Sequence, residues 1–309
     1  MQFDIGKARG RRLDKEGRKA AQNRTLWGDA LRRLLKNKLS VISFCWIMVM
    51  VILAVSAGLW VPQVLGDPRV INTTMTSTLA HLAPSLSHPL GTDQLGRDIA
   101  ARVIYGARIS LQVGVFATLI ATVVGLLLGS LAAYFGGLLD SIIMRITDIF
   151  MAFPFTLFTI ALLAVLGPGF INVFLAIGLL GWTSICRVVR SSILQIKEMD
   201  YVSAAKALGA RHLRIILRHI LPNALAPVIV YATMSIGTAI ITESALSFLG
   251  LGIQPPTPSW GLMISEGQSF LASYPWMVFC PGAAILLTVL AFTLMGDGLR
   301  DALDVKVTD

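Results

Sequence analysis

From Ile149 to Cys186 the chain carries no charged side chain, a run of 38 residues. A helix that crosses a hydrocarbon core about 30 Å thick needs about 20 apolar residues. The run is therefore long enough for parts of two spans, and Gly167, Pro168 and Gly169 mark where the chain breaks it. This predicts one span over residues 142–166 and another over 171–190. Residues 39–61, 110–135, 223–244 and 276–295 meet the same length requirement. Composition agrees: 55% of the 309 residues are hydrophobic and 14% charged, too apolar for an ordinary soluble domain. The expected fold is all-α, a polytopic membrane protein with six transmembrane helices.

A net charge of +9 would fit nucleic acid, but the positions of the basic residues point to topology instead. Residues 1–38 hold 12 Lys and Arg against four acids, which by the positive-inside rule keeps them in the cytoplasm. Threading six spans from there leaves only Arg69, Arg97, Arg102 and Arg108 outside, so 22 of the 26 basic residues fall at the cytoplasmic face. The expected layout is a cytoplasmic basic segment over 1–38, a first span over 39–61, and an extracytoplasmic loop with an interfacial helix over 62–109. A five-helix core over 110–296 follows, with a cytoplasmic segment at 198–222 and an extracytoplasmic loop at 245–275, and 297–309 form a cytoplasmic tail. The first 25 residues lack an apolar face and read as a mobile tail.

No phosphate loop of the form GxxxxGK[ST] occurs, nor HExxH, CxxC or GxSxG, so no catalytic, cofactor-binding or metal residue is assigned. Cys45, Cys186 and Cys280 lie in apolar stretches and read as buried small hydrophobes. His81 and His88 are separated from His212 and His219 by the membrane. Asp140, Arg145 and Asp148 cluster near the cytoplasmic end of the third span, where Arg145 and Asp148 can pair at i, i+3. Glu243 sits near the outer end of the fifth span, within reach of interfacial water. Gly125, Gly129, Ser130, Ala132 and Ala133 form a small-residue face suited to close helix packing.

One segment breaks the greasy pattern: "DYVSAAKALGARHLRIILRHILPN", residues 200–223. Ala204, Ala205 and Ala207 make a thin helix, and Gly209 permits a sharp turn. A second short helix starts at Arg211, with Arg211, Arg214 and Arg218 on one stripe and Leu213, Ile216, Leu217 and Ile220 on another. Pro222 can open the next span. Two short helices at an angle suit a groove on a partner; a basic loop lying on anionic lipid is the plainer alternative.

This run resembles the EAA signature of bacterial ABC importer permeases on Ala204, Ala205, Gly209, Leu221 and Pro222. Ser203 stands where that family usually has glutamate, and His219 where isoleucine is usual. "HPLGTDQLGRD" at 88–98, "SFLGLGIQPPTPSWG" at 247–261 and "GDGLRDALD" at 296–304 resemble the peptide and nickel branch, the dipeptide or oligopeptide C-type subunit. The resemblance implies a type I ABC importer permease in the bacterial inner membrane, with both termini cytoplasmic. It implies a homologous second permease, two ATP-binding subunits that hold ATP and Mg, and an extracytoplasmic substrate-binding protein. Ser203, Ala204, Ala205, Gly209, Leu221 and Pro222 would then form the ATPase-coupling segment. Dipeptides or oligopeptides are the expected substrates, with nickel or another small solute as the alternative and an ATP-independent channel as the rival outside the family.

The family motifs also carry physical readings. Ile99, Val103 and Ala107 repeat every four residues, as in an interfacial helix entering the second span, which leaves Arg97, Arg102 and Arg108 as anchors for lipid phosphate. Pro255, Pro256 and Pro258 stiffen a loop that serves as an external gate, a seat for a binding protein or a cover for the bundle. Topology is directly testable. In a cysteine-free background a cysteine at Thr257 should react with an impermeant thiol reagent in intact cells, and one at Arg211 should not; the reverse pattern contradicts the six-span reading.

Overall fold

The computed structural model describes residues 26–67, 69 and 76–303 as helices joined by loops, with no β-strand among them. Residues 1–25, expected to be a tail, lie outside the described residues. Helix α1 (Leu26–Lys36) leads to Asn37, whose side chain accepts from the Leu39 and Ser40 N–H groups and so caps α2 (Lys38–Val64). One turn, α3 (Thr76–Leu79), precedes α4 (Ile99–Phe135), which joins the expected interfacial helix and second span in one 37-residue helix. Asp98 caps it by accepting from the Ala101 N–H at 2.9 Å.

The third span is not the single helix expected over 142–166. Helices α5 (Gly137–Ala152) and α6 (Phe155–Leu166) meet there at 86°. Pro154 explains the break, because a residue before proline is driven out of the helical region and Phe153 is extended at φ −94°, ψ 139°. Next come α7 (Phe170–Lys197), α8 (Asp200–Ala207) and α9 (His212–Ile215). A π-turn over Ile216–Ile220 joins α9 to α10 (Leu221–Phe248). The chain closes with α11 (Trp260–Gly267) and α12 (Trp276–Leu303). Five helical stretches are long and apolar enough to cross a membrane, and the bent α5–α6 pair makes a sixth when taken as one span.

The bundle is built around the pairing of α4 with α7. The small-residue face makes it possible: a Cβ added at Gly129 would stand 2.6 Å from the Cys186 carbonyl oxygen and 2.9 Å from Val189 Cβ. Gly296 of α12 approaches Val230 and Met234 of α10, and Gly298 meets Ser40 of α2. The start of α2 and the end of α12 therefore stand at the end of the bundle that bears residues 200–222, here called the near end.

At the far end, Arg97 and Arg102 are not lipid anchors. Both are buried and share Asp93 and Glu266: Arg97 Nε donates to Asp93 at 2.6 Å, Arg102 Nη2 donates to Glu266 at 2.6 Å, and Arg102 Nη1 donates to Asp93. The cluster ties the 88–98 loop and α4 to α11, where the fully buried Trp260 donates its indole N–H to the Val103 carbonyl at 2.9 Å. Four charges taken out of water together are stable only as a complete set.

Other charged groups differ from expectation in the same direction, toward partners on neighbouring helices. Asp148 pairs with Arg187 rather than Arg145, and Asp140 takes a bidentate bond from Arg190. Glu243 does not reach water; it is fully buried and accepts from Ser110 at 2.9 Å and Ser247 at 2.7 Å, joining α4 to α10. Of the three thiols only Cys186 is buried, whereas Cys45 is exposed on α2.

Two stability effects follow. Gly129→Val should cost about 1–3 kcal/mol by forcing α4 from α7, and Asp93→Asn about 3–5 kcal/mol by leaving two buried guanidinium groups undercompensated. Thermal unfolding in detergent reads both; unchanged melting in either variant contradicts the packing described.

Candidate functional site

The 200–222 segment is rigid by construction. Helix α8 ends in a Schellman turn: the Ala210 N–H donates to the Ala205 carbonyl at 3.1 Å, and Gly209 sits at φ +76°. The left-handed residue such a turn needs is supplied by glycine without strain. Val202, Ile215 and Ile220 are buried in a cluster with Tyr134, Val189 and Ile193, so the segment is bolted to α4 and α7. His212 Nδ1 hydrogen-bonds the Tyr134 hydroxyl at 2.7 Å, and Lys197 donates to the Tyr134 carbonyl at 2.9 Å.

The second half of the segment is not a separate short helix. α9 runs on into α10 through the π-turn, where the Leu221 N–H donates to the Ile216 carbonyl. Pro222 gives the reason: it has no N–H to donate and its ring crowds the carbonyl four residues back, so the helix widens. The Asn223 side chain donates to the His219 carbonyl at 2.8 Å and satisfies a group the widened turn would leave free.

The candidate residues divide by exposure. Ser203, Ala204, Gly209 and Pro222 are exposed, while Ala205 and Leu221 are half-buried. Gly209 and Pro222 line one open groove with Arg211, Arg214, Leu217 and Arg218. The arginine stripe faces out as expected, but the inward residues are Ile215 and Ile220; Leu217 is exposed, and the Leu213 side chain lies outside the described residues.

A second feature escaped the sequence reading. Between α4, the α5–α6 bend, α7 and α10 lies a cavity of about 480 Å³. Its walls carry Thr118, Thr183 and Ser184, the rings of Phe150, Phe153 and Phe158, and a stripe of Tyr231, Ser235, Thr238 and Thr242 along α10, with no charged residue. That stripe was visible in the sequence as polar groups at spacings of four, three and four in an otherwise apolar span. The bend at Pro154 opens the space and could not be read from hydropathy.

Residues 121–309 match the family of binding-protein-dependent transport system inner membrane components, and residues 25–88 match the N-terminal transmembrane domain of oligopeptide transport permease C. The chain belongs to this permease family. The dipeptide transport system permease protein of Alkalihalophilus pseudofirmus is 45% identical over 91% of the chain and 90% of its own length. The oligopeptide transport system permease protein of Bacillus subtilis is 40% identical over 92% of the chain and 90% of its own length. The glutathione transport system permease protein of Escherichia coli is 42% identical, covering 94% and 93%. Among solved structures, a chain of the MetNI methionine ABC transporter in an inward-facing conformation superposes with a TM-score of 0.55. It is 18% identical and covers 65% of this chain and 96% of its own. The fold is therefore that of an importer permease, and the chain is a permease subunit of an ABC importer.

Proposed function

We propose that this permease pairs with a homologous second permease, two ATP-binding subunits that hold ATP and Mg, and an extracytoplasmic binding protein, and that it moves dipeptides or oligopeptides inward. The observation that carries the reading is mechanical. A thin, exposed helix, α8, turns at Gly209 and is packed through Val202 against Ile215 and Ile220, α9 runs on through the π-turn into α10, and α10 lines the cavity. Force applied to α8 by a partner therefore reaches the cavity wall through this packed cluster and α10, and access can switch if each ATPase state favours one arrangement. The near end faces the cytoplasm in this reading, because threading six spans through the sequence leaves 22 of the 26 basic residues on the side that bears residues 200–222.

Peptides fit the cavity better than nickel. Its hydroxyl groups can exchange hydrogen bonds with peptide groups and its aromatic rings can pass side chains, whereas a transition metal selects imidazole, thiolate or carboxylate ligands. The peptide and glutathione relatives support the same choice. The test is uptake into proteoliposomes holding the complete complex. ATP-dependent entry of a labelled dipeptide or tripeptide is expected; entry without ATP, or of nickel alone, contradicts the proposal.

The docking role is tested at Gly209. A Cβ there meets nothing within 4 Å among the described residues, so a substitution acts through the strained backbone and through the partner. Gly209→Asn, which tolerates positive φ, should keep most uptake, while Gly209→Val should lose most of it or shed the ATPase subunits. Normal uptake and assembly in Gly209→Val would leave residues 200–222 as a lipid-facing loop.

A further inference from the structure

The ion pair between Asp148 and Arg187 differs from its neighbour between Asp140 and Arg190. Arg190 and Asp140, two turns of α5 nearer the near end, make two bonds of 2.6 Å and are 31% and 20% exposed; they hold α5 against α7. Arg187 gives Asp148 a single bond of 2.6 Å, and the two side chains are 47% and 54% exposed. One carboxylate oxygen of Asp148, and Nε and Nη1 of Arg187, have no partner among the described residues. Both groups therefore hold hydrogen-bonding capacity in reserve.

Their position gives that capacity a use. Arg187 lies one helical turn beyond Ser184 of the cavity wall, and Asp148 one turn before Met151 of the same wall. The pair therefore lies between α5 and α7, one turn nearer the near end than the wall residues Met151 and Ser184. Arg187 stands three residues, about 5 Å along the axis, inside the near end of the expected 171–190 span. Half-exposed charges at that edge meet water, a polar headgroup or a protein surface rather than lipid tails.

We propose that Asp148 and Arg187 receive the charged ends of a peptide in transit, Arg187 taking the terminal carboxylate and Asp148 the terminal ammonium. The proposal rests on the peptide-importer reading and extends it to named residues. Its energetics suit a transit site: the ion pair opens, two new ion pairs form with the zwitterion, and no charge is left uncompensated in either state. Occupancy is then neither strongly favoured nor strongly opposed, as a path that must release its cargo requires. The hydroxyls of Ser184 and Thr238 lie in the cavity beyond the pair, where the uncharged middle of the peptide would pass.

The test uses the complete transporter in proteoliposomes with saturating, peptide-loaded binding protein, so that capture does not limit uptake. A tripeptide with free ends is compared with its C-amidated and N-acetylated forms in wild type, Arg187→Gln and Asp148→Asn, at equal assembly with the ATPase subunits. Arg187→Gln should slow the free tripeptide about tenfold and the amidated form less than twofold; Asp148→Asn should spare the acetylated form in the same way. Equal scaling of all three forms, or no change, overturns the proposal and leaves the pair as a clamp between α5 and α7. A wild-type complex that moves none of the peptides overturns the peptide reading and this proposal with it.

Discussion

A hydrocarbon layer offers no water to an unpaired backbone group, so each place where this chain interrupts a helix must be repaired by the chain itself. The same device recurs at several breaks. Lys197 donates to the carbonyls of Ala133 and Tyr134 at the end of α4. Asn172 donates to those of Leu166 and Gly167 at the end of α6, and Asn223 to that of His219 beside the π-turn. At the far end the Gly169 N–H finds the Gly252 carbonyl, which joins the α6–α7 turn to the loop after α10. Each repair links two elements, so the polar groups freed by the breaks also hold the breaks in place.

That economy gives the molecule a stiff far end and a stiff near end with a softer middle. The far end is locked by Asp93, Arg97, Arg102 and Glu266 with Trp260 beneath them. The near end is locked by Val202, Ile215 and Ile220 in the α4–α7 cluster. Between them lie the α5–α6 bend and the open cavity, and the Asp148–Arg187 pair one turn from its wall is held by a single bond. A permease driven from one end needs that distribution: rigid where force is received, yielding where access changes.

Hydropathy made the spans legible, and the GPG break and the Gly125–Gly129 face followed from residue size alone. Gly209 and Pro222 were also legible, because a left-handed turn and a missing N–H each have one physical meaning. Pairing of charges was not. Sequence spacing favoured Arg145 with Asp148, yet Arg187, 39 positions away, takes the bond, since helix packing decides which carboxylate a long side chain reaches. The far-end cluster left a trace that charge counting could have used: Glu266 is the sole charged residue in the 245–275 loop, opposite a 62–109 loop with surplus arginine. Pro154, like Pro168 and Pro227, was legible as a residue able to bend a helix around a pathway, but hydropathy alone gave neither the 86° angle nor the cavity beside it.

If residues 200–222 drive the cavity, they and α10 should move as one body. Spin labels at Leu208 and Val228, and a second pair at Phe155 and Thr238, would measure this in the assembled transporter by pulsed electron paramagnetic resonance, with and without a non-hydrolysable ATP analogue. The account predicts an unchanged distance between Leu208 and Val228 and a shift of several ångström between Phe155 and Thr238, on the scale of interhelical movements in switching proteins (about 2–5 Å). A large shift between Leu208 and Val228 with the cavity pair unmoved would contradict it.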